Sequence, residues 1–135
     1  MRWACLGLLL MSFIADVGEG HELGKRVAVI GAGAAGLVAT DVFTRHGLCV
    51  TTFEQSGRDI GGVWNYVGKT STSGDNAPMY KTLRTNLPAE IMSFRPDAPM
   101  QKSSSGSSFL THEEVQRYLE DFAEAQTVRN KIRSG

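Results

Sequence analysis

Regular apolar spacing marks out a small set of elements along this chain. Arg26-Val27-Ala28-Val29-Ile30 is short, apolar and rich in β-branched residues, the pattern of a strand buried on both faces. Leu37, Val38, Val42 and Phe43 then recur at helical spacing, and Gly47 suits the C-cap of that helix. Residues 49–53 read as a second strand with Glu54 at its end. A polar turn is expected at 55–59 and a surface loop at 69–78. Residues 80–92 mix helix-compatible and turn residues, with a boundary at Pro88. The serine-rich stretch 103–108 has the composition of a flexible linker. Thr111-His112-Glu113-Glu114 forms a capping box. Val115, Leu119 and Phe122 follow as one apolar helix face, with Tyr118 beside it and Glu113, Glu120 and Asp121 toward water. That amphipathic helix should run to about residue 126, and residues 128–135 are polar and basic.

The N-terminus departs from this pattern. Met1-Arg2 precedes a mostly apolar run over residues 3–14, shorter than the roughly 20 residues that span a bilayer. A positive start, an apolar centre and small residues at Gly18 and Gly20 fit a secretory signal cleaved before His21, with Ala15 the other candidate cleavage site. Residues 1–20 are therefore expected to be a leader and 21–135 the folded part. A used leader implies secretion or the endoplasmic reticulum lumen; an unused one implies the cytoplasm.

Composition narrows the function classes. The 135 residues are 41% apolar and 21% charged, and 14 basic residues balance 14 acidic ones. A net charge of zero argues against nucleic acid or an anionic membrane as the main partner. The two cysteines, Cys5 and Cys49, form no CxxC and no disulfide framework, and Cys49 is expected to be buried and inert. His21, His46 and His112 are isolated and expected to be exposed, so no metal site is expected.

The candidate chemistry lies between the first two strands. Gly31-Ala32-Gly33-Ala34-Ala35-Gly36 fits GxGxxG directly after a strand and at the start of a helix. Gly31 permits the tight turn, Gly33 lets a pyrophosphate approach the backbone, and Gly36 lets the helix pack closely on the sheet. Glu54 stands about 20 residues beyond the turn, where such units place the carboxylate that binds a ribose hydroxyl. Farther on, Gly61-Gly62-Val63-Trp64 combines two glycines, which admit close backbone approach, with an apolar residue and a flat indole.

Four stretches together resemble the N-terminal part of the flavin-containing monooxygenases. They are GAGAAG with Glu54, GGVW at 61–64, YKTLRTNLPAEIMSF at 80–94 and THEEVQRYLEDFA at 111–123. The resemblance covers about 25–132. It implies an α/β fold: part of a doubly wound, Rossmann-like FAD-binding domain, ending in the amphipathic helix. It also implies two cofactors, FAD and NADPH. The 31–36 turn would cradle the FAD pyrophosphate and Glu54 the adenosine ribose; Gly62, Val63 and Trp64 would line the flavin. Thr85, Asn86 and Leu87 would pass the isoalloxazine and the nicotinamide, with Asn86 as the catalytic amide that holds the oxygenated flavin. The family chemistry reduces FAD with NADPH, adds O2 at the flavin C4a position, and oxygenates a small soft nucleophile, an amine or a sulfide.

The chain also departs from the family. Asp97-Ala98-Pro99-Met100 replaces an aromatic-rich segment, and the family's second, NADPH-binding GxGxSG motif does not occur. The resemblance thus implies a further strand near Ile132, and a truncated domain with weak or no NADPH-driven turnover on its own. Two alternatives remain open: another two-dinucleotide flavoprotein, such as a Baeyer–Villiger monooxygenase or a reductase, and a nucleotide-binding remnant without catalysis.

Overall fold

The computed structural model describes residues 24–55, 60–66 and 79–135. The expected leader, Cys5, His21, most of the polar turn at 55–59 and the loop at 69–78 lie outside the described residues. The elements run β1 (Arg26–Ile30), α1 (Ala34–Arg45), β2 (Cys49–Glu54), a 3-10 turn (Gly62–Trp64), α2 (Ala89–Met92), α3 (His112–Ala125), a second 3-10 turn (Arg129–Lys131) and β3 (Ile132–Ser134).

The strands form one parallel sheet in the order β1-β2-β3. Its register pairs Arg26 with Cys49 and Ile30 with Phe53, then Thr52 with Ile132 and Glu54 with Ser134. Parallel neighbours need a crossover. The link from β1 to β2 is α1, and the link from β2 to β3 contains α3. The strand due near Ile132 is therefore present, and it lies against β2.

One expectation for β1 is corrected. It is covered on one face, by α1, rather than on both: Val29 is buried, whereas Ile30 and its cross-strand partner Phe53 stand 82% and 47% exposed. A continuous apolar run does not by itself tell one covered face from two.

Local chemistry accounts for the helix ends. At the end of α1 the Leu48 N–H donates to the Phe43 carbonyl and the Gly47 N–H to that of Thr44, with Gly47 at φ +79°. This is the glycine-terminated cap foreseen at Gly47. At α3 both halves of the capping box form: Thr111 Oγ1 accepts from the Glu114 N–H, and Glu114 Oε2 accepts from the Thr111 N–H. Ser103 adds its hydroxyl to Glu114 Oε1 at 2.5 Å. This bond and the Thr111 N–H hold the Glu114 carboxyl below the usual glutamate range.

The stretch 103–108 is a closed turn rather than a linker. The Ser103 N–H donates to the Ser107 carbonyl, the Gly106 N–H to the Ser103 carbonyl, and Ser108 Oγ to Glu90. Composition alone is blind to these bonds. His112 is also not exposed: it opens α3 edge-on to Tyr66, with ring centroids 4.9 Å apart, and is 4% accessible. Cys49, expected to be buried, is half-buried at the start of β2. His46 is exposed at the end of α1, as expected.

The core joins the sheet–α1 layer to α3. One cluster contains Ala32, Leu37, Ile60, Leu119, Phe122 and Val128; a second contains Ala89, Met100, Leu110 and Val115. Trp64 and Tyr118 pack against both. The apolar face foreseen for α3 is thus the core face. Tyr118 accepts from the Phe94 N–H and donates to the Ala98 carbonyl, and burial raises its phenol pKa.

A polar staple secures the same layers. The Asp41 side chain, only 3% exposed, is bridged by Arg45 on α1 and by Arg95 from a distant loop. Arg95 also donates to Gln126 at the end of α3 and pairs with Asp97. That pairing lowers the Asp97 pKa and raises the Arg95 pKa.

Candidate functional site

β1 delivers the chain into the 31–36 turn, where each residue has a distinct task. Gly31 adopts φ +91°, and its N–H donates to the Phe53 carbonyl at 2.7 Å, so the turn closes against the end of β2. Ala32 is fully buried, and its N–H donates to Glu54 Oε2 at 2.7 Å. Glu54, foreseen as a ribose ligand, thus also fastens the turn to the neighbouring strand.

Gly33 caps α1 in ordinary extended geometry and contributes no side-chain cap. Among the described residues, the N–H groups of Gly33, Ala35 and Gly36 meet no protein acceptor. They sit at the positive end of a 12-residue helix whose first turn holds no acidic residue. An anion is the natural partner for such a group of donors.

The glycines divide into two kinds. A Cβ on Gly36 would lie 1.9 Å from the Gly31 carbonyl oxygen and 3.6 Å from Val29 Cγ1, so the protein itself forbids a side chain there. A Cβ on Gly33 would meet only the Gly62 Cα, at 3.8 Å, an ordinary contact. With φ at −74°, the protein places no demand for glycine at 33. The bare backbone there fits a cradle for a bound diphosphate.

A second glycine turn lies against the first. The Gly61 N–H, at φ +117°, donates to the Ala32 carbonyl at 2.9 Å, and Gly61 bridges Gly33 in parallel fashion. A Cβ on Gly62 would stand 3.1 Å from the Gly33 Cα. The turn continues as a 3-10 helix that leaves Val63 51% exposed and seats Trp64 between the two core clusters. The structure therefore brings the 31–36 turn, Glu54 and the Gly62-Val63-Trp64 turn together through backbone contacts.

Thr85, Asn86 and Leu87 are held differently. Thr85 is buried; its N–H donates to the Leu110 carbonyl, and its hydroxyl donates to the Leu87 carbonyl and accepts from the Leu110 N–H. This lock presents Asn86 and Leu87 to solvent just before α2 begins. The segment shares no hydrogen bond with the glycine turn among the described residues; it connects through Leu110, which packs in the cluster that borders Trp64.

Three features of the site escaped the sequence analysis. The Glu54–Ala32 bond, the stacking of Gly61-Gly62 on Gly33, and the approach of Gln116 to Ile60 all depend on tertiary contacts. The GG pair was the only local signal for any of them. A cleft of about 460 Å³ between residues 97–104 and α3 contains none of the foreseen site residues. Among the described residues, no group of three metal-ligating side chains occurs, and no helix is long and apolar enough to cross a membrane.

Comparison with known proteins shows what the chain is similar to. The family model described as flavin-binding monooxygenase-like matches residues 24–133. The chain is 38% identical over 122 residues to the flavin-containing monooxygenase FMO GS-OX1 of Arabidopsis thaliana, covering 81% of this chain and 26% of that protein. It is equally identical to the putative flavin-containing monooxygenase FMO GS-OX-like 11 of the same plant, covering 79% of this chain and 71% of that protein. Among solved structures, S-allyl-L-cysteine S-oxygenase from Allium sativum aligns with a TM-score of 0.69 at 38% identity, over 82% of this chain and 27% of the other. An oxidized steroid monooxygenase bound to NADP aligns with a TM-score of 0.62 at 29% identity, over 82% and 19%. The chain thus spans about a quarter of the length of most curated relatives it matches.

Proposed function

This chain belongs to the flavin-binding monooxygenase-like family, and we propose that it binds FAD with the pyrophosphate over the 31–36 turn. The observation that carries this is the group of unanswered N–H donors at Gly33, Ala35 and Gly36, beside a Gly33 whose missing Cβ serves no contact within the protein. Donors held by a folded helix end need no reorganisation when an anion arrives. Glu54, held at the turn by the Ala32 N–H, offers carboxylate lone pairs to ribose hydroxyls. Val63 and Leu87, both about half exposed, supply apolar surface toward the flavin ring.

Held by the 31–36 turn and Glu54, FAD would supply the redox chemistry, hydride uptake from NADPH and oxygen transfer from O2. This chain's part is to bind, orient and donate. Asn86 presents a neutral amide from a loop that Thr85 fixes by three hydrogen bonds. An amide at that position donates a hydrogen bond to a developing oxyanion without giving up a proton. A small soft nucleophile is the substrate class we favour, a sulfide before an amine. The S-oxygenase named above, which shares 38% of its aligned residues with this chain, supports that choice.

Titration of flavin fluorescence with the full 135-residue chain tests the binding step. Saturable quenching at one FAD per chain, competed by ADP, is expected, with yellow colour retained through gel filtration. Unquenched flavin and a colourless protein would overturn the proposal.

A further inference from the structure

We propose that Gln116 is a positioning residue for the cofactor site, clamping the second glycine turn onto the first; the cofactor part of this rests on the FAD reading above. Gln116 lies on α3, remote in sequence from both turns. Its Nε2 donates to the Ile60 carbonyl at 2.8 Å and to Glu120 Oε1 at 2.9 Å. Two acceptors at one end of the amide fix its orientation, because the opposite rotamer would set an oxygen against both.

The carboxamide thereby lies where Gly61 lacks a side chain: the position of a Gly61 Cβ is 1.9 Å from Gln116 Oε1. That oxygen is buried and has no hydrogen-bond partner in the structure. A buried polar atom left unmatched is a cost, and here it accompanies the bonds that hold the amide in place. On the opposite side of the same glycine, the Gly61 N–H donates to the Ala32 carbonyl, and Gly61 bridges Gly33. Gln116, Gly61 and Gly33 thus form a sandwich, and the outer slice sets how closely the inner two approach. The inner slice is the backbone that would face the pyrophosphate.

Amide hydrogen exchange on the full chain without FAD tests the clamp, and the FAD dissociation constant tests its consequence. Gln116→Met keeps the bulk and loses the donor; Gln116→Glu turns the donor into a repelling acceptor; Glu120→Gln keeps an acceptor and is the control. Both Gln116 variants should speed exchange at the Gly61 amide about tenfold, the equivalent of one hydrogen bond, and weaken FAD by a similar factor. Exchange at Leu119 and Phe122 in α3 should hold, and Glu120→Gln should match wild type. Unchanged Gly61 exchange in both variants overturns the clamp, whatever FAD does. So does loss of α3 protection in both, which would make Gln116 a general folding residue. Faster Gly61 exchange with unweakened FAD overturns the cofactor role. If the unaltered chain binds no FAD, the FAD reading fails, while the exchange rates still decide the clamp.

Discussion

Gly33 and Gly36 belong to one motif, yet the structure assigns them opposite reasons for being glycine, and two alanine substitutions separate those reasons. A Cβ at Gly36 would lie 1.9 Å from a backbone oxygen, where contacts settle near 3.5 Å, so the start of α1 would have to shift by about 1.5 Å. Such overpacking costs about 1–3 kcal/mol. Because the neighbour is backbone, the upper end applies; replacing a helical glycine returns about 1 kcal/mol. The net loss of about 2 kcal/mol corresponds to a fall in Tm of roughly 10 °C for a domain of this size. At Gly33 the new Cβ would meet Gly62 at an ordinary 3.8 Å. Alanine is a poorer N-cap than glycine by about 0.5–1 kcal/mol. The stiffer unfolded chain returns about 0.4–1 kcal/mol, so Tm should stay within a few degrees. FAD affinity should instead fall about 10–100-fold, the equivalent of one charge-assisted hydrogen bond lost or lengthened. Thermal unfolding by circular dichroism and flavin fluorescence titration read the two effects separately. Equal loss of Tm in the two variants, or unchanged FAD affinity in Gly33→Ala, would refute the reasoning.

Other consequences follow from the same contacts. Asp41→Asn removes the carboxylate that Arg45 and Arg95 share and should cost about 1 kcal/mol, because Arg45 is half exposed and Arg95 keeps Asp97; urea unfolding reads it, and stability equal to wild type would mean that the staple is idle. Glu114 has a folded-state pKa below its ordinary value, so its stabilising contribution is full above about pH 4.5 and drains away as pH falls through the depressed value. Glu114→Gln should therefore flatten the stability profile below pH 4.5, and an acid limb identical to wild type would contradict this. The sequence carries a single GxGxxG, so the purified 135-residue chain loaded with FAD should oxidise NADPH weakly or not at all; robust steady-state turnover would contradict that.

What the sequence disclosed and what it withheld divide along physical lines. β1, α1, β2 and the intervening turn were legible because period, glycine chemistry and an acid at the right distance coincide within about 30 residues. The α3 helix was legible because Thr111 and Glu114 close a capping box directly before Val115, Leu119 and Phe122. The pairing of β3 with β2 joins Thr52 to Ile132, and no local pattern announces such a partner. The same holds for Arg95 on Asp41, 54 residues apart, and for Gln116 on Ile60, 56 apart. His112 was misjudged because a histidine opening a helix looks exposed until Tyr66 is placed beside it. At the site, the spacing singled out the glycines and Glu54, which the fold brings together through the Ala32 N–H, whereas the use of Gly61 as the layer between Gly33 and Gln116 emerged only from the fold.

The central claim is that the 31–36 turn and its surroundings hold FAD, and amide chemical-shift mapping on the labelled full chain tests it most directly. ADP should move the resonances of Ala32, Gly33, Ala35, Gly36 and Glu54, whose groups surround the unanswered N–H donors. FAD should move the same set and add Gly62, Val63, Trp64 and Asn86. Shifts confined to the cleft between residues 97–104 and α3, or no shifts at millimolar FAD, would contradict the account.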